Sequence, residues 1–161
     1  MTLFPGWQAP DFTAETNAGP IHFHAWQQGS WGIVITHPAD YDLDGLRRAG
    51  AWALSRSQPV RLLGLSPAHD DDSPYGPGFT MVTQQDATRV ARAWQGVTVD
   101  IGDIIPEAPT AERAVYIIGP DLTIRTTLSH PPARGRQFTD IIQTAEALGL
   151  EDIPLRPVRA A

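Results

Sequence analysis

Cysteine is absent from this sequence of 161 residues. The chain therefore has no disulfide, no thiolate nucleophile, no cysteine-ligated zinc and no thiol redox cycle, because each of these requires a cysteine sulfur. Lysine is absent too, since arginine supplies all 12 basic residues, against 18 acidic ones and a formal net charge of −6. This balance predicts that neither nucleic acid nor a membrane surface is a partner.

Long apolar stretches are also missing. The longest run is about five to six residues, whereas a helix that spans a bilayer needs about 20. The opening segment MTLFPGWQAPDF lacks the basic region and the apolar run of a secretory signal. We therefore expect a cytoplasmic protein.

The remaining composition, 42% hydrophobic and 8% aromatic, is that of a folded globular chain. Its length predicts one domain over residues 1–150, followed by a tail over 151–161 that two prolines keep from being helical. Apolar periodicity predicts strands over 20–26 and 30–36, a helix over 44–55, a strand over 59–66, a loop over 67–78, a short strand over 79–83, a helix over 86–94, a hairpin of strands over 113–119 and 122–129, and a helix over 138–150. This order predicts an α/β protein with a central mixed sheet flanked by helices.

An acidic stretch, HPADYDLDGLRRAG, follows the second predicted strand. Its Asp40-x-Asp42-x-Asp44-Gly45 spacing matches the first half of a calcium loop. The second half fails, because Ala51 stands where a bidentate glutamate is needed and a strand precedes the loop. Asp42 or Asp44 could instead cap the following helix.

Three histidines and one serine raise two further alternatives. His22 and His24, on one face of the first predicted strand, could bind a metal together with His37 or an aspartate, or could be structural. Ser30 lies in Gln28-Gly29-Ser30-Trp31-Gly32, which lacks the first glycine of a hydrolase elbow and precedes a strand instead of following one. His24 and Asp121 could complete a Ser/His/Asp set, which is a geometric arrangement that sequence order does not establish. We predict no metal and no cofactor.

Arginines near the end of the chain are candidates for an anion site. Arg113 opens an apolar strand, and Arg134 and Arg136 flank Gly135 before the last helix. A charged group on a buried strand must be paired or face a pocket, because burial of an unpaired charge is costly. Two readings stay open here: a pocket for a small anionic or polar ligand, and ion pairs with the acidic stretch.

Several segments, in order and spacing, are similar to those of one family. They are APDF (9–12), GPIHFHAW (19–26), GSWG (29–32), HPADY (37–41), RAVYIIGPD (113–121) and PPARGRQF (131–138). The sequence resembles the one-cysteine branch of the peroxiredoxins, the alkyl hydroperoxide reductase and thiol-specific antioxidant family, as a truncated member. The resemblance implies a thioredoxin-like fold with the peroxiredoxin N-terminal extension, and a homodimer joined through the edge strand near 122–129.

The resemblance also implies where the peroxide pocket of the family lies in this chain. A Pro-x-x-x-Thr/Ser-x-x-Cys segment there holds the peroxide, and aligned without gaps it places Pro38 at the proline, Asp42 at the hydroxyl position and Gly45 at the cysteine. Arg113 matches the arginine that activates the thiol, and Arg136 matches a second arginine; His37 adjoins the proline. The family reaction is thiolate attack on peroxide, which this chain cannot perform without a sulfur.

Two main hypotheses follow. In the first, the protein is a catalytically silent binding homodimer in which Asp42 or Asp44 pairs with Arg113. In the second, Asp42 or Asp44 is a general base in a repurposed enzyme, with Arg113 and Arg136 stabilising an anionic substrate. Peroxide chemistry by a route without a thiol is a further alternative.

Overall fold

The structure is a computed structural model, and it describes residues 3–36, 38, 41–56, 60–65, 78–83, 86, 89–90, 93–94, 113–130 and 139–147. For Leu43, Arg113, Ser129 and His130 it describes the backbone alone. The described elements are β1 (Thr13–Thr16), β2 (Gly19–His22), α1 (Phe23–Gln27), β3 (Gly32–Ile35), α2 (Leu43–Ser55), β4 (Arg61–Gly64), β5 (Phe79–Met81), β6 (Arg113–Ile118), β7 (Ile124–His130) and α3 (Thr139–Ala147).

Five strands form one mixed sheet in the order β5-β4-β3-β6-β7. β3, β4 and β5 run parallel, whereas β6 is antiparallel to β3 and β7 is antiparallel to β6. The central strand β3 is buried along its whole length, which explains its unbroken apolar sequence. The predicted mixed sheet and the predicted β6–β7 hairpin are thus confirmed.

Each face of the sheet is covered by its own apolar cluster. On one face, Ile33, Leu62 and Val115 pack against α2 and α3. On the other face, Val34, Leu63 and Tyr116 pack against N-terminal residues and Trp94. Successive strand residues alternate between the two clusters, as the two-residue period of a strand requires.

The N-terminal extension corrects one sequence prediction. A strand over 20–26 was expected, but β2 ends at His22 and α1 begins at Phe23. Phe23 and Gln27 are the buried residues of α1, and they lie four apart on one side of the helix. The alternating apolar pattern was misleading because the second buried position is a polar glutamine, whose amide donates to the Ser30 carbonyl at 2.6 Å.

Both edges of the sheet are partly closed by the N-terminal extension. Asn17 lies against β5, where its backbone N–H donates to the Met81 carbonyl at 3.0 Å and its side-chain oxygen accepts the Met81 N–H at 2.9 Å. At the opposite edge, the Gly6 N–H donates to the Ile124 carbonyl at 2.8 Å and the Ile124 N–H donates to the Trp7 carbonyl at 2.9 Å. This second contact closes the beginning of β7.

The remaining predicted elements agree with the structure as far as it describes them. The helix over 44–55 is α2, the strands over 30–36, 59–66 and 79–83 contain β3, β4 and β5, and the helix over 138–150 contains α3. Asp86, Arg89, Val90 and Ala93 have helical backbone within the helix predicted over 86–94. The tail over 151–161 lies outside the described residues. No described helix is both long and apolar enough to cross a membrane.

Candidate functional site

The candidate site begins where the chain leaves the sheet at the end of β3. Thr36 is buried, and its N–H donates to the Ala114 carbonyl at 3.0 Å. Its hydroxyl accepts the Ala114 N–H at 2.9 Å and donates to the Ala114 carbonyl at 3.1 Å. The side chain thereby completes the backbone hydrogen bonds at the beginning of β6, beside the point where the chain leaves β3 for the acidic stretch.

Pro38 and Tyr41 anchor that stretch to the core. Pro38 is buried, and its ring lies over Gly64 at the end of β4 beside Met81. A Cβ on Gly64 would lie 2.9 Å from Pro38 Cγ and 2.5 Å from Met81 Sδ. The proline ring therefore fits here because residue 64 is a glycine. The Tyr41 N–H donates to the Pro38 carbonyl at 3.0 Å. The Tyr41 ring is buried in the apolar cluster between the sheet and the helices α2 and α3.

Asp42 is the N-cap of α2. Its backbone is extended, and its Oδ2 accepts the Gly45 N–H at 3.0 Å. A carboxylate in this position satisfies one of the free N–H groups of the first turn and lies favourably in the field of the helix. Asp42 is exposed and Gly45 is half-buried. The capping role considered for Asp42 from the sequence is the one observed.

We expect Asp42→Ala to lower the free energy of unfolding by about 1 kcal/mol, because the Gly45 N–H loses its acceptor. Asp42→Asn keeps a side-chain oxygen at the same place, so its loss is expected to be a few tenths of a kcal/mol. Urea denaturation of the native protein and both variants measures the difference. Equal losses in the two variants would contradict the capping role.

Asp44 lies on the exposed surface of α2. Its Oδ1 is 3.9 Å from Nη1 of Arg47, one helical turn later, and the two side chains are 72% and 51% exposed. An exposed pair at this spacing contributes little to stability. Asp44 is therefore placed where solvent reaches it freely.

Arg113 is the first residue of β6, and its backbone pairs with that of His130 on β7. It directly precedes Ala114, the residue bonded by Thr36, so its backbone lies where the chain enters the acidic stretch. The Arg113 side chain, His37 and Arg136 lie outside the described residues. The pairing of Arg113 with Asp42 or Asp44, and the places of His37 and Arg136 in the pocket, therefore stay predictions.

A second polar cluster lies between the N-terminal segment and α1. Asp11 accepts the Phe12 and His24 N–H groups at 2.9 Å each and contacts Nε2 of His22 at 2.8 Å. Burial raises the pKa of Asp11, but the hydrogen bonds from His24, His22 and Phe12 and the charge of His24 outweigh it and lower that pKa below its usual value. The sequence identified both histidines but missed Asp11 as their shared partner, since a separation of 11 and 13 residues gives no periodic signal.

The three residues of the hydrolase alternative make their contacts elsewhere. Nε2 of His24 lies 2.6 Å from the Ala9 carbonyl oxygen, and because that oxygen can only accept, this nitrogen must carry the proton. Asp121 accepts from the Thr123 N–H and from Arg125, each at 3.1 Å. Burial raises its pKa, yet these bonds and the Arg125 charge hold the pKa below its usual value. Within the described part of the chain, no hydrogen bond joins His24, Ser30 and Asp121.

Metal ligands are not grouped in the described residues, which hold no set of three or more histidine, aspartate or glutamate side chains that could bind an ion. His22 and His24 bond instead to Asp11 and Ala9. Asp42 and Asp44 serve α2, as a cap and as the partner of Arg47.

Known proteins are similar to this chain in both sequence and structure. The sequence is 30% identical over 166 aligned positions to peroxiredoxin-6 of Gallus gallus, covering 92% of this chain and 74% of that relative. It is 26% identical to a probable 1-Cys peroxiredoxin of Syntrichia ruralis, covering 88% of this chain and 71% of the relative. The structure superimposes on the yeast mitochondrial 1-Cys peroxiredoxin with a TM-score of 0.62 and 21% identity, over 98% of this chain and 85% of that one. No family model matches the sequence. The expected thioredoxin-like fold is confirmed.

Proposed function

This chain belongs to the peroxiredoxin family, and we propose that it is a homodimeric binding protein without thiol peroxidase chemistry. The observation that carries the proposal is the absence of cysteine from the chain. Gly45, in the first turn of α2, is the residue that the resemblance aligns with the nucleophilic cysteine. Asp42, at the hydroxyl position, uses Oδ2 to cap the same turn. Nucleophile and hydroxyl are both replaced, which supports loss of the reaction.

The former peroxide pocket, formed by His37, Pro38, Asp42, Gly45, Arg113 and Arg136, is the proposed binding site. Pro38 and Tyr41 are both buried, so they fix the backbone on which the proposed pocket is built. Oδ1 of Asp42 has no hydrogen-bond partner among the described side chains, and we assign it to Arg113 as the negative partner that replaces the thiolate. The charge of Arg136, which this pairing leaves free in the proposed pocket, favours a small anionic or polar ligand.

The alternative of acid/base catalysis receives less support. A general base is usually enclosed in a pocket with groups that tune it. Asp42 is exposed and bound to the helix, and Asp44 is exposed beside Arg47. These positions suit a charge partner and a surface residue better than a base.

Pairing of two copies through β7 is the proposed basis of the homodimer. β7 is an edge strand of the sheet. Edge strands expose unpaired backbone groups that a second strand can satisfy, and a strand paired with its own copy across a two-fold axis closes the assembly.

A peroxide-consumption assay with dithiothreitol as reductant tests the loss of chemistry. We expect the native protein, freed of metal, to consume hydrogen peroxide no faster than buffer. Consumption above buffer would overturn the proposal, because it would show a route that needs no thiol.

Restoring the missing groups tests the assignment of Gly45 and Asp42. Gly45→Cys with Asp42→Thr is expected to gain peroxidase activity, since a thiolate in the first turn is stabilised by the helix N-terminus and can attack hydrogen peroxide, breaking the O–O bond to give a sulfenate and water. Gly45→Cys alone should gain less, because the Asp42 carboxylate disfavours a second negative charge beside it. Gly45→Ala is the matched control without sulfur. If the double variant is no more active than this control, the placement of the cysteine position at Gly45 is wrong.

A further inference from the structure

One sulfur atom lies beneath the acidic stretch, although the chain has no cysteine. The sequence contains two methionines, Met1 and Met81, and they are its only sulfur-containing residues. Met1 lies outside the described residues. Met81 is the last residue of β5 and is 2% exposed. Its thioether is therefore the one sulfur that the described part of the chain offers to an oxidant.

The Met81 side chain reaches the end of the neighbouring strand β4. Gly64, the last residue of β4, pairs with Met81 in the parallel register. A Cβ on Gly64 would lie 2.5 Å from Met81 Sδ and 2.9 Å from Pro38 Cγ, so the sulfur and the proline ring meet over this glycine. This is the edge where the parallel strands β3, β4 and β5 end. Ligands of open α/β sheets bind outside that edge.

Pro38 covers the sulfur and belongs to the proposed binding pocket. The Pro38 ring is buried, and its carbonyl accepts the Tyr41 N–H at 3.0 Å. The next residue, Asp42, caps α2 through the Gly45 N–H. A change in size or polarity at the sulfur therefore acts on the backbone of the pocket through the proline ring.

We propose that Met81 is a site of oxidation by hydrogen peroxide and that its sulfoxide weakens the packing that holds Pro38 and Tyr41 in place. The sulfur attacks one peroxide oxygen, an S–O bond forms and the O–O bond breaks. The other oxygen takes up the proton of the transferred hydroxyl and leaves as water. The sulfur loses two electrons and the peroxide gains two, so one peroxide is consumed per chain without turnover. The inference rests on the proposed function, because it specifies how the proposed pocket is regulated.

The sulfoxide is unfavourable at this position because the surroundings of the sulfur are apolar. Met81 belongs to the buried cluster that contains Tyr41 and Phe79. A buried polar oxygen without a hydrogen-bond donor carries a desolvation penalty. Pro38, which lies over the same glycine, has no N–H to donate. Displacement of the proline ring relieves the penalty, because it lets water reach the new oxygen.

Mass spectrometry of the full chain treated with hydrogen peroxide tests the site of oxidation. We expect Met81 to gain one oxygen atom while the protein stays folded. The rate should change little at low urea concentrations, because local opening of the covering segment, and not global unfolding, exposes the sulfur. A rate that rises with urea as steeply as the unfolded population overturns the proposal. So does an unmodified Met81 after free methionine in the same solution has been fully oxidised.

Hydrogen exchange tests the consequence at the pocket. In the oxidised protein the Tyr41 N–H should exchange about tenfold faster or more, since a buried polar group without a partner destabilises its surroundings by at least that factor. The Ile124 N–H, which donates to the Trp7 carbonyl at 2.9 Å, is the control amide and should be unchanged. Met81→Leu keeps the volume but has no sulfur, so peroxide should not alter its exchange. Met81→Ile replaces this variant if it does not fold.

The outcomes separate this inference from the proposed function. If the sulfoxide forms and exchange at Tyr41 is unchanged, or if Met81→Leu responds to peroxide as the native protein does, the regulatory role of Met81 is wrong and the proposed function stands. Steady peroxide consumption contradicts the proposed function alone, because the oxygen on Met81 is read separately from its peptide. Methionine sulfoxide reductase with a dithiol should restore the native exchange rate, since it returns the sulfoxide to the thioether. An exchange rate that stays high after this reduction overturns the role of Met81.

Discussion

Replacement of Gly78 by alanine is expected to lower the free energy of unfolding by about 3 kcal/mol, the upper end of the range typical for overpacking. Gly78 directly precedes β5 and lies against Gly50 of α2. A Cβ on Gly78 would meet the carbonyl carbon of Gly50 at 2.5 Å and its Cα at 2.6 Å. These are backbone atoms of a packed helix, so they cannot turn aside as a side chain could.

Gly50→Ala provides the matched comparison within the same contact. A Cβ on Gly50 would lie 3.2 Å from Cα of Gly78, which is tight but requires a shift of only a few tenths of an ångström. Alanine also favours a helix over glycine by about 1 kcal/mol, which offsets part of the cost. Urea denaturation should therefore rank Gly78→Ala as clearly less stable than Gly50→Ala. A Gly78→Ala protein as stable as the native one would show that α2 and β5 do not approach as closely as the structure has them.

The strands of this sheet could be predicted because their sequences carry the necessary signal themselves. Ile33, Val34 and Ile35 are consecutive and buried on both faces of the sheet, so apolar character alone marks β3. α2 could be predicted equally well, because Leu46, Ala49 and Ala53 repeat at helical spacing after a capping residue. α1 was missed because one of its two buried residues is Gln27.

The contacts that shape the candidate site could not be read from the sequence in the same way. The role of Asp42 as a cap follows from a local rule, since its partner Gly45 is three residues away. Thr36 bonds Ala114 across a separation of 78 residues, and Gly78 lies against Gly50 of α2, which is 28 residues earlier in the chain. Such pairs depend on how the elements meet in space. The sequence places these residues correctly on their elements but does not identify their partners.

Replacement of Phe23 by alanine is expected to cost about 4 kcal/mol of stability, since truncation of a buried phenylalanine typically costs about 3–5 kcal/mol. Phe23 has no exposed surface. Its ring stacks on Phe12 at a centroid distance of 5.0 Å and meets Trp94 edge to face at 5.3 Å. The cavity left by alanine would therefore remove packing between the N-terminal extension and the sheet face that it covers.

Phe23→Leu distinguishes loss of volume from loss of the aromatic ring. Leucine fills much of the same space, so its cost should be clearly smaller and should reflect mainly the ring contacts with Phe12 and Trp94. Urea denaturation followed by tryptophan fluorescence is a suitable measurement, because Trp94 lies within the affected cluster. If alanine at this position cost less than about 1 kcal/mol, the extension would contribute little to the stability of the domain. The other buried apolar residues of the extension, such as Phe12 and Ile21, would then have to hold it against the sheet.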